Sequence, residues 1–212
     1  MFLSRPLLRT AIAAVTATVA LAAGASSASA GVLVASAPSC DDQAMSKTFL
    51  PWWDLADYTA LAGADFEGAA DGWSMSGDAA ITNGNEPWRV GGAGDSHSLK
   101  LQAGDAATSP TMCVGITHPT IRFFTKRQSG GLLSLANLRV DVLFETANGT
   151  TASLPIGYVG NGGSWQATSP MLVTANLLPL LPGERTPVAF RFTAQGADFS
   201  VDDVWVDPYS RK

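Results

Sequence analysis

Basic side chains are scarce in this sequence of 212 residues, which has 13 lysines and arginines against 18 aspartates and glutamates. The nearest approach to a basic cluster is the dipeptide Lys126-Arg127. Nucleic acids and anionic membranes are bound through clustered Lys and Arg, so neither is an expected partner.

Catalytic motifs are also missing. The sequence has no Gly-x-Ser-x-Gly, no His-Glu-x-x-His and no glycine loop of the phosphate-binding type. Its two histidines, His97 and His118, are interpreted as structural residues. A glycosidase would need two carboxylates facing each other across a cleft, but metal ligation or solvation explains the acidic residues better. We therefore expect a protein that is not an enzyme.

The first 30 residues predict a secretory signal peptide, and hence a secreted, extracellular protein. Arg5 and Arg9 precede the apolar run Ala11–Ala23, and Ala28–Ala30 supplies small residues for cleavage. The run is too short for a membrane span of about 20 apolar residues, so no membrane insertion is expected after cleavage. Without this segment the formal net charge moves from −5 to about −7.

Cysteine occurs only twice, at Cys40 and Cys113. An even count in an exported chain predicts one disulfide between them. The alternative is lipid attachment at Cys40, although the leucine that usually precedes a lipidated cysteine by three positions is Ala37 here.

Long helical periodicity is absent after Gly63, where short apolar runs alternate with Gly, Asn, Asp and Pro. This pattern predicts an all-β fold with two packed antiparallel sheets. Val140 and Val142 alternate with Arg139 and Asp141, as in a half-buried strand, and Asn148-Gly149 favours a hairpin. We expect a signal peptide over 1–30, an irregular N-terminal extension over 31–62, a sandwich over 63–208 and a tail over 209–212. Predicted strands include Trp73–Ser76, Pro87–Val90, Thr120–Arg127, Leu138–Glu145, Val188–Thr193 and Phe199–Val206.

Two adjacent carboxylates, Asp202 and Asp203, interrupt the apolar residues of the last predicted strand. A buried unpaired carboxylate is costly, so this pair must reach solvent, a cationic side chain or a metal ion. A second acidic group, Asp65-Phe66-Glu67, opens the predicted sandwich, and we expect the first and last strands to meet.

The order of short motifs along the chain resembles the galactose-binding-like jelly roll found in many carbohydrate-binding modules. The motifs are Asp65-Phe66-Glu67, Gly72-Trp73, Ser98-Leu99-Lys100, Gly163-Ser164-Trp165 and Asp202-Asp203-Val204. The resemblance covers residues 63–208. The extension lies outside it and resembles that of a group of secreted proteins from GC-rich bacteria.

The resemblance implies a structural calcium ion held by Glu67 and by Asp202 or Asp203, with Asp65 as a further contributor. Two carboxylates with carbonyls and water would meet the needs of Ca²⁺. The alternative is that these acids pair with Lys100 or cap turns.

The resemblance also implies a polysaccharide or cell-wall glycan as partner. Glycan binding uses aromatic faces and a few polar groups, and the candidate platforms are Trp52, Trp53, Trp88 and Tyr158. In the alternative interpretation, Trp52, Trp53 and Tyr58 only cover one edge of the sheet. The competing function is a structural or protein-interaction module of the cell envelope that binds no sugar.

Overall fold

A computed structural model describes Leu33 and residues 43–115, 120–130, 135–146, 148–160, 162–173 and 185–207. Regular structure in these ranges is almost entirely β-strand, together with a short 3-10 helix at Leu50–Trp52. Within them, no helix is long and apolar enough to cross a membrane. The strands are β1 (Thr59–Ala60), β2 (Ser74–Ser76), β3 (Ala80–Asn83), β4 (His97–Leu101), β5 (Ala106–Thr108), β6 (Met112–Gly115), β7 (Thr120–Arg127), β8 (Asn137–Glu145), β9 (Thr151–Val159), β10 (Gln166–Ala167), β11 (Met171–Leu172), β12 (Arg185–Gln195) and β13 (Phe199–Asp207).

The strands form two antiparallel sheets. The front sheet has the order β10–β7–β13–β4–β3, with β1 beside β13 and β11 beside β7. The back sheet has the order β2–β5–β12–β8–β9, with β6 beside β12. From β4 to β13 the chain passes repeatedly from one sheet to the other, which is the winding of a jelly-roll sandwich. The predicted all-β fold with two antiparallel sheets is confirmed.

The main core lies between the two sheets and follows from strand alternation. Val140 and Val142 of β8 and Phe190 and Phe192 of β12 are fully buried on the inner face of the back sheet. Phe123 of β7 meets Phe192 from the opposite sheet, with ring centroids 5.1 Å apart in an edge-to-face arrangement. This layer is the packing that holds the sandwich together.

A second apolar layer covers the outer face of the front sheet. Phe124, the neighbour of Phe123 on β7, is fully buried on that outer face. Around it lie the rings of Phe49, Trp52 and Trp88, with centroids 5.6, 5.2 and 5.5 Å from that of Phe124. We call these four rings the aromatic cover. It holds the segment before β1 against the sheet. The covering role predicted for Trp52 and Tyr58 matches their positions, whereas Trp53 is exposed and covers no part of the sheet.

The prediction of a strand at Pro87–Val90 is wrong. This segment is a turn closed by the Glu86 carboxylate, which accepts hydrogen bonds from the backbone N–H groups of Trp88 and Val90. Arg89 has φ 52°, in the left-handed region that strands exclude. A side-chain acceptor therefore replaces the pairing that a strand would need.

The acidic segment Asp65-Phe66-Glu67 is also a turn rather than a strand. Phe66 has φ 55° and is nevertheless fully buried in the core. The strand that meets β13 near this end is β1, where Thr59 and Ala60 pair with Val206 and Trp205. The first and last strands do meet, but the first lies within the segment expected to be extension.

The predicted signal peptide over 1–30, Cys40 and the tail over 209–212 lie outside the described residues. Cys113 is buried on β6. The Cys40–Cys113 disulfide and the domain boundaries therefore remain predictions.

Candidate functional site

A β-bulge on β13 determines where its two carboxylates lie. The register of β13 against β7 shifts between Asp202 and Trp205, and Asp203 has φ 48°. The extra residue lets Val201 and Val204 both reach the core while neither aspartate enters it. Both aspartates are nonetheless almost fully buried, with 0% and 2% of their surfaces exposed.

Two further buried acids, Glu86 and Asp95, lie beside this pair, with 1% and 7% of their surfaces exposed. The carboxylate of Asp202 accepts a hydrogen bond from the Glu86 N–H at 3.1 Å, and that of Asp203 accepts one from the Gly91 N–H at 3.2 Å. Among the described residues, no lysine or arginine forms an ion pair with any of the four. We call these residues the acidic cluster. Sequence reasoning missed Glu86 and Asp95, because their approach depends on the fold of the 84–96 loop.

Burial and the charges of neighbouring acids raise the pKa values of three aspartates in the acidic cluster. Burial, followed by the charge of Asp203, raises the pKa of Asp202 to about 9. Burial and the charge of Glu86 raise the pKa of Asp203 to about 7. The pKa of Asp95 is raised by burial and by the charges of Glu67 and Asp65. Such a cluster favours bound protons or a bound cation.

Glu67 and Asp65, the other predicted metal ligands, lie at the edge of this cluster. The Glu67 carboxylate accepts hydrogen bonds from the N–H groups of Ser96 and His97, each at 2.6 Å, and from their side chains. Burial would raise the pKa of Glu67, but these hydrogen bonds outweigh it and hold the pKa at about 2. Asp65 is exposed and lines a small pocket with Asp203. Glu67 is thus occupied as the acceptor that orders the start of β4.

The carboxylates of Asp95 and Asp203 converge beside Gly91. A Cβ atom added at Gly91 would lie 2.3 Å from Asp203 Oδ1 and 2.8 Å from Asp95 Oδ2. Asp95 Oδ2 is buried and has no hydrogen-bond partner. No group of three or more His, Cys, Asp or Glu side chains within the described ranges is arranged to hold a metal. A cation here would therefore take two carboxylates and complete its shell with carbonyls and water.

A separate groove runs beside Trp53, the most exposed aromatic residue in the described ranges. Trp53 has 94% of its surface exposed and φ 61°, and its N–H donates to the Leu50 carbonyl at 3.0 Å. Its groove has a volume of about 640 Å³. The groove, here called the Trp53 groove, is lined by Trp52, Trp53, Asp54, Leu55, Arg122, Ala167, Thr168, Ser169 and Pro170.

Asp54 and Arg122 form an ion pair at the base of the Trp53 groove. Arg122 Nη1 lies 2.6 Å from Asp54 Oδ2, which also accepts a hydrogen bond from the Tyr58 hydroxyl at 2.7 Å. Partial burial would raise the pKa of Asp54, but hydrogen bonds from Tyr58, the Ala56 N–H and Arg122 hold it below its usual value. The carboxylate is therefore ionised and neutralised by Arg122 at neutral pH.

A second groove, here called the Tyr158 groove, shares a wall with the first. Its volume is about 360 Å³, and Tyr158, with 58% of its surface exposed, lines it together with Gln166. Segment 167–170, which we call the shared wall, lines both grooves, and in it Ser169 is exposed while Thr168 is buried. Two of the predicted platforms, Trp53 and Tyr158, thus line neighbouring grooves that are joined by the shared wall.

The other two predicted platforms have different surroundings. Trp52 lines the Trp53 groove, but its ring packs edge-on against Trp88, with centroids 5.1 Å apart. Trp88 has 47% of its surface exposed and lines neither groove. The shared wall and Arg122 were missed from the sequence, although the alternation of β7 places Arg122 on the same face as Phe124.

Comparisons with protein-family models and with curated proteins find no match. Comparison with solved structures finds similarity to carbohydrate-binding modules. A family 22 xylan-binding domain of Paenibacillus barcinonensis is 13% identical, over 72% of this chain and 94% of that one, with a TM-score of 0.46. The family 22 and family 10 modules of a Clostridium thermocellum xylanase, solved with xylohexaose, are 19% identical, over 68% and 27% of the two chains, with a TM-score of 0.45.

A family 11 module of Clostridium thermocellum, solved with a mixed-linked tetrasaccharide, is 16% identical, over 70% and 94% of the two chains, with a TM-score of 0.38. The chain spans only about a quarter of the xylanase chain. These proteins belong to the class that the sequence motifs resemble. Their TM-scores are all below 0.5, and the assignment of the fold rests on the two sheets described above.

Proposed function

We propose that this protein is a secreted, non-catalytic glycan-binding module whose ligand lies along the Trp53 and Tyr158 grooves. The observation that carries the proposal is the exposed ring of Trp53, held in a defined backbone conformation opposite the shared wall, where the Ser169 hydroxyl is exposed. Sugar rings stack on such aromatic faces, and their hydroxyl groups hydrogen-bond to polar side chains at the rim.

The charge of the grooves supports an uncharged polysaccharide. Among the residues that line the two grooves, only Asp54 and Arg122 carry a charge, and they neutralise each other. Gln166 and Ser169, both exposed, offer hydrogen bonds without charge. An anionic chain would gain no free cation here and would approach a protein whose net charge is negative.

Truncation of the two exposed rings tests the site. We expect Trp53→Ala and Tyr158→Ala each to weaken polysaccharide binding about tenfold or more, because stacked aromatic anchors contribute at least about 1.4 kcal/mol. Isothermal titration calorimetry against a panel of neutral soluble polysaccharides measures this. Leu135→Ala, which truncates a side chain that is 96% exposed, is the control and should bind as the wild type does. Unchanged binding in both aromatic variants would contradict the site.

A protein-interaction module of the cell envelope is the second candidate. Leu50 and Leu55, with 49% and 71% of their surfaces exposed, flank Trp53 on the same segment. Leu50 does not line the Trp53 groove, whereas Leu55 does. Leu50→Ser separates the two functions, because it should leave glycan affinity unchanged but weaken association with a protein partner.

A structural calcium ion between Asp95 and Asp203 is a further part of the proposal. The unpartnered Asp95 oxygen and its convergence with Asp203 Oδ1 beside Gly91 support it. The expected ligand set differs from the one implied by the motifs, because Asp95 replaces Glu67. We also propose that the Cys40–Cys113 disulfide closes the segment before β1, as the cysteine count of an exported chain predicts.

Calcium should stabilise the protein, and a methyl group at position 91 should prevent this. We expect saturating calcium to raise the melting temperature by about 5 °C or more over a chelating buffer, because it binds only the folded chain. Gly91→Ala should abolish the response, since its Cβ would lie 2.3 Å from Asp203 Oδ1. Gly94→Ala, whose Cβ meets nothing within 4 Å, is the matched control and should keep it. Equal responses in both variants would place any calcium elsewhere.

A further inference from the structure

Arg122 joins the two walls of the Trp53 groove through one side chain. It lies on β7 with 6% of its surface exposed. Its Nε donates to the Thr168 carbonyl of the shared wall at 2.8 Å, and its Nη1 donates to Asp54 Oδ2 at 2.6 Å. The guanidinium also lies over the Phe49 ring, 4.1 Å from the centroid. The buried guanidinium of Arg122 thus contacts three parts of the protein: the shared wall, the aromatic cover, and the segment that carries Trp53.

The shared wall is fixed to β7 at the same point. The Thr168 N–H donates to the Phe123 carbonyl at 2.9 Å, and the Phe123 N–H donates to Thr168 Oγ1 at 3.1 Å. With the bond from Arg122 to its carbonyl, Thr168 has three hydrogen bonds to two consecutive residues of β7. The position of the shared wall relative to β7 is therefore fixed by these hydrogen bonds.

The opposite wall depends on Asp54, which directly follows Trp53. Besides Arg122, the Asp54 carboxylate binds the Tyr58 hydroxyl and the Ala56 N–H, so it closes the turn after Trp53. The ring of Trp53 has almost no packing of its own, since 94% of its surface is exposed. Its location relative to the shared wall is therefore set by its backbone, and that backbone is tied through Asp54 to Arg122.

We infer that Arg122 is the positioning residue of the groove, which holds Trp53 at the distance from the shared wall that a bound glycan needs. This inference rests on the proposed function. A preorganised pair of walls binds more tightly than one that must be ordered by the ligand. Lysine cannot replace Arg122, because a single ammonium lacks the planar fork that reaches Thr168 and Asp54 together.

A double-mutant cycle tests whether Arg122 acts through Trp53. The probe is whichever neutral polysaccharide of the panel the wild-type protein binds. We expect Arg122→Lys to weaken binding about five- to tenfold, but by less than twofold when Trp53→Ala is already present. Arg191→Lys, which changes an arginine bound to Ser153 Oγ and outside both grooves, should have no effect. Wild-type affinity in Arg122→Lys, or an equal loss with and without Trp53, would overturn the inference.

A second readout needs no glycan and separates this inference from the proposed function. With 5-fluorotryptophan incorporated, the ¹⁹F resonance of Trp53, assigned by Trp53→Phe, should shift and broaden in Arg122→Lys and in Asp54→Asn. The resonance of Trp73, whose indole donates to the Ala62 carbonyl, should stay unchanged. An unshifted Trp53 resonance in both variants would overturn the positioning role even if glycan binds. A shifted resonance without glycan binding to the wild type would support the positioning and overturn the proposed function.

Discussion

In a chelating buffer, the melting temperature of this protein is expected to fall as the pH rises from 5 to 7. Burial, together with the charges of neighbouring acids, raises the pKa values of Asp202 and Asp203 to about 9 and about 7. In this window the folded chain keeps protons that the unfolded chain has released. Each proton that only the folded chain keeps lowers the free energy of unfolding by about 1.4 kcal/mol per pH unit. From pH 5 to 7, one such proton lowers this free energy by ~3 kcal/mol and the melting temperature by roughly 6–12 °C.

The sign of this dependence distinguishes the acidic cluster from the other carboxylates. Glu67 and Asp54 have lowered pKa values, so their stabilisation is complete above about pH 4.5 and is lost only at lower pH. Between pH 5 and 7 only groups with raised pKa values contribute a falling slope. Differential scanning calorimetry of Asp202→Asn should show a flatter profile, whereas Asp78→Asn, at an exposed position, should keep the wild-type slope.

Calcium should remove the slope if it occupies the proposed site, because a cation stabilises the ionised carboxylates. A melting temperature that stays constant or rises from pH 5 to 7 in chelator would show that the cluster is ionised without a cation. That result would contradict the raised pKa values.

The sheets were predictable from the sequence because their signals are local. Alternation on β8 and β12 set which side chains enter the core, and the Asn148-Gly149 turn lies between β8 and β9 as expected. The closing strand was recognised, and the odd position of Asp202 and Asp203 correctly marked an unusual environment. The alternation of apolar and polar residues could not indicate the bulge at Asp203. An extra residue in a strand reverses which side chains face the core, but the residue types remain those of an ordinary strand.

The loop before β4 shows why the acidic cluster was missed. Trp88 and Val90 have the composition of a strand, but the Glu86 carboxylate accepts hydrogen bonds from the N–H groups of both and closes a turn. That turn brings Glu86 beside Asp202, which is 116 residues away in the chain. No periodicity encodes a contact of this range, so the sequence could indicate only the two aspartates of the strand itself.

The sequence indicated the exposed aromatic residues of the Trp53 and Tyr158 grooves but not the buried arginine, because its burial also depends on contacts distant in the chain. Trp53 and Tyr158 were named because they are aromatic, and both are exposed beside the grooves. Arg122 was hidden within a predicted strand, where its outward side would ordinarily be solvated. Only the packing of Phe49 and Asp54 over that face turns an outward arginine into a buried one.

Phe124→Ala should be among the most destabilising single substitutions in the chain. Phe124 is fully buried and is the centre of the aromatic cover, with three rings within 5.6 Å of its centroid. Truncating a buried phenylalanine costs about 3–5 kcal/mol, which lowers the melting temperature by roughly 6–20 °C. Because the cover holds the segment before β1 against the front sheet, the loss should also release that segment locally.

The matched comparison is Phe123→Ala, which removes the same side chain from the neighbouring position on the opposite face of β7. Phe123 packs between the sheets against Phe192 and touches none of the rings of the cover. We expect both variants to be destabilised to a similar extent in calorimetry. Limited trypsin digestion under native conditions should cleave after Lys47 much faster in Phe124→Ala than in Phe123→Ala. Equal cleavage would mean that the segment before β1 opens only when the whole sandwich unfolds, and that the cover adds no local attachment.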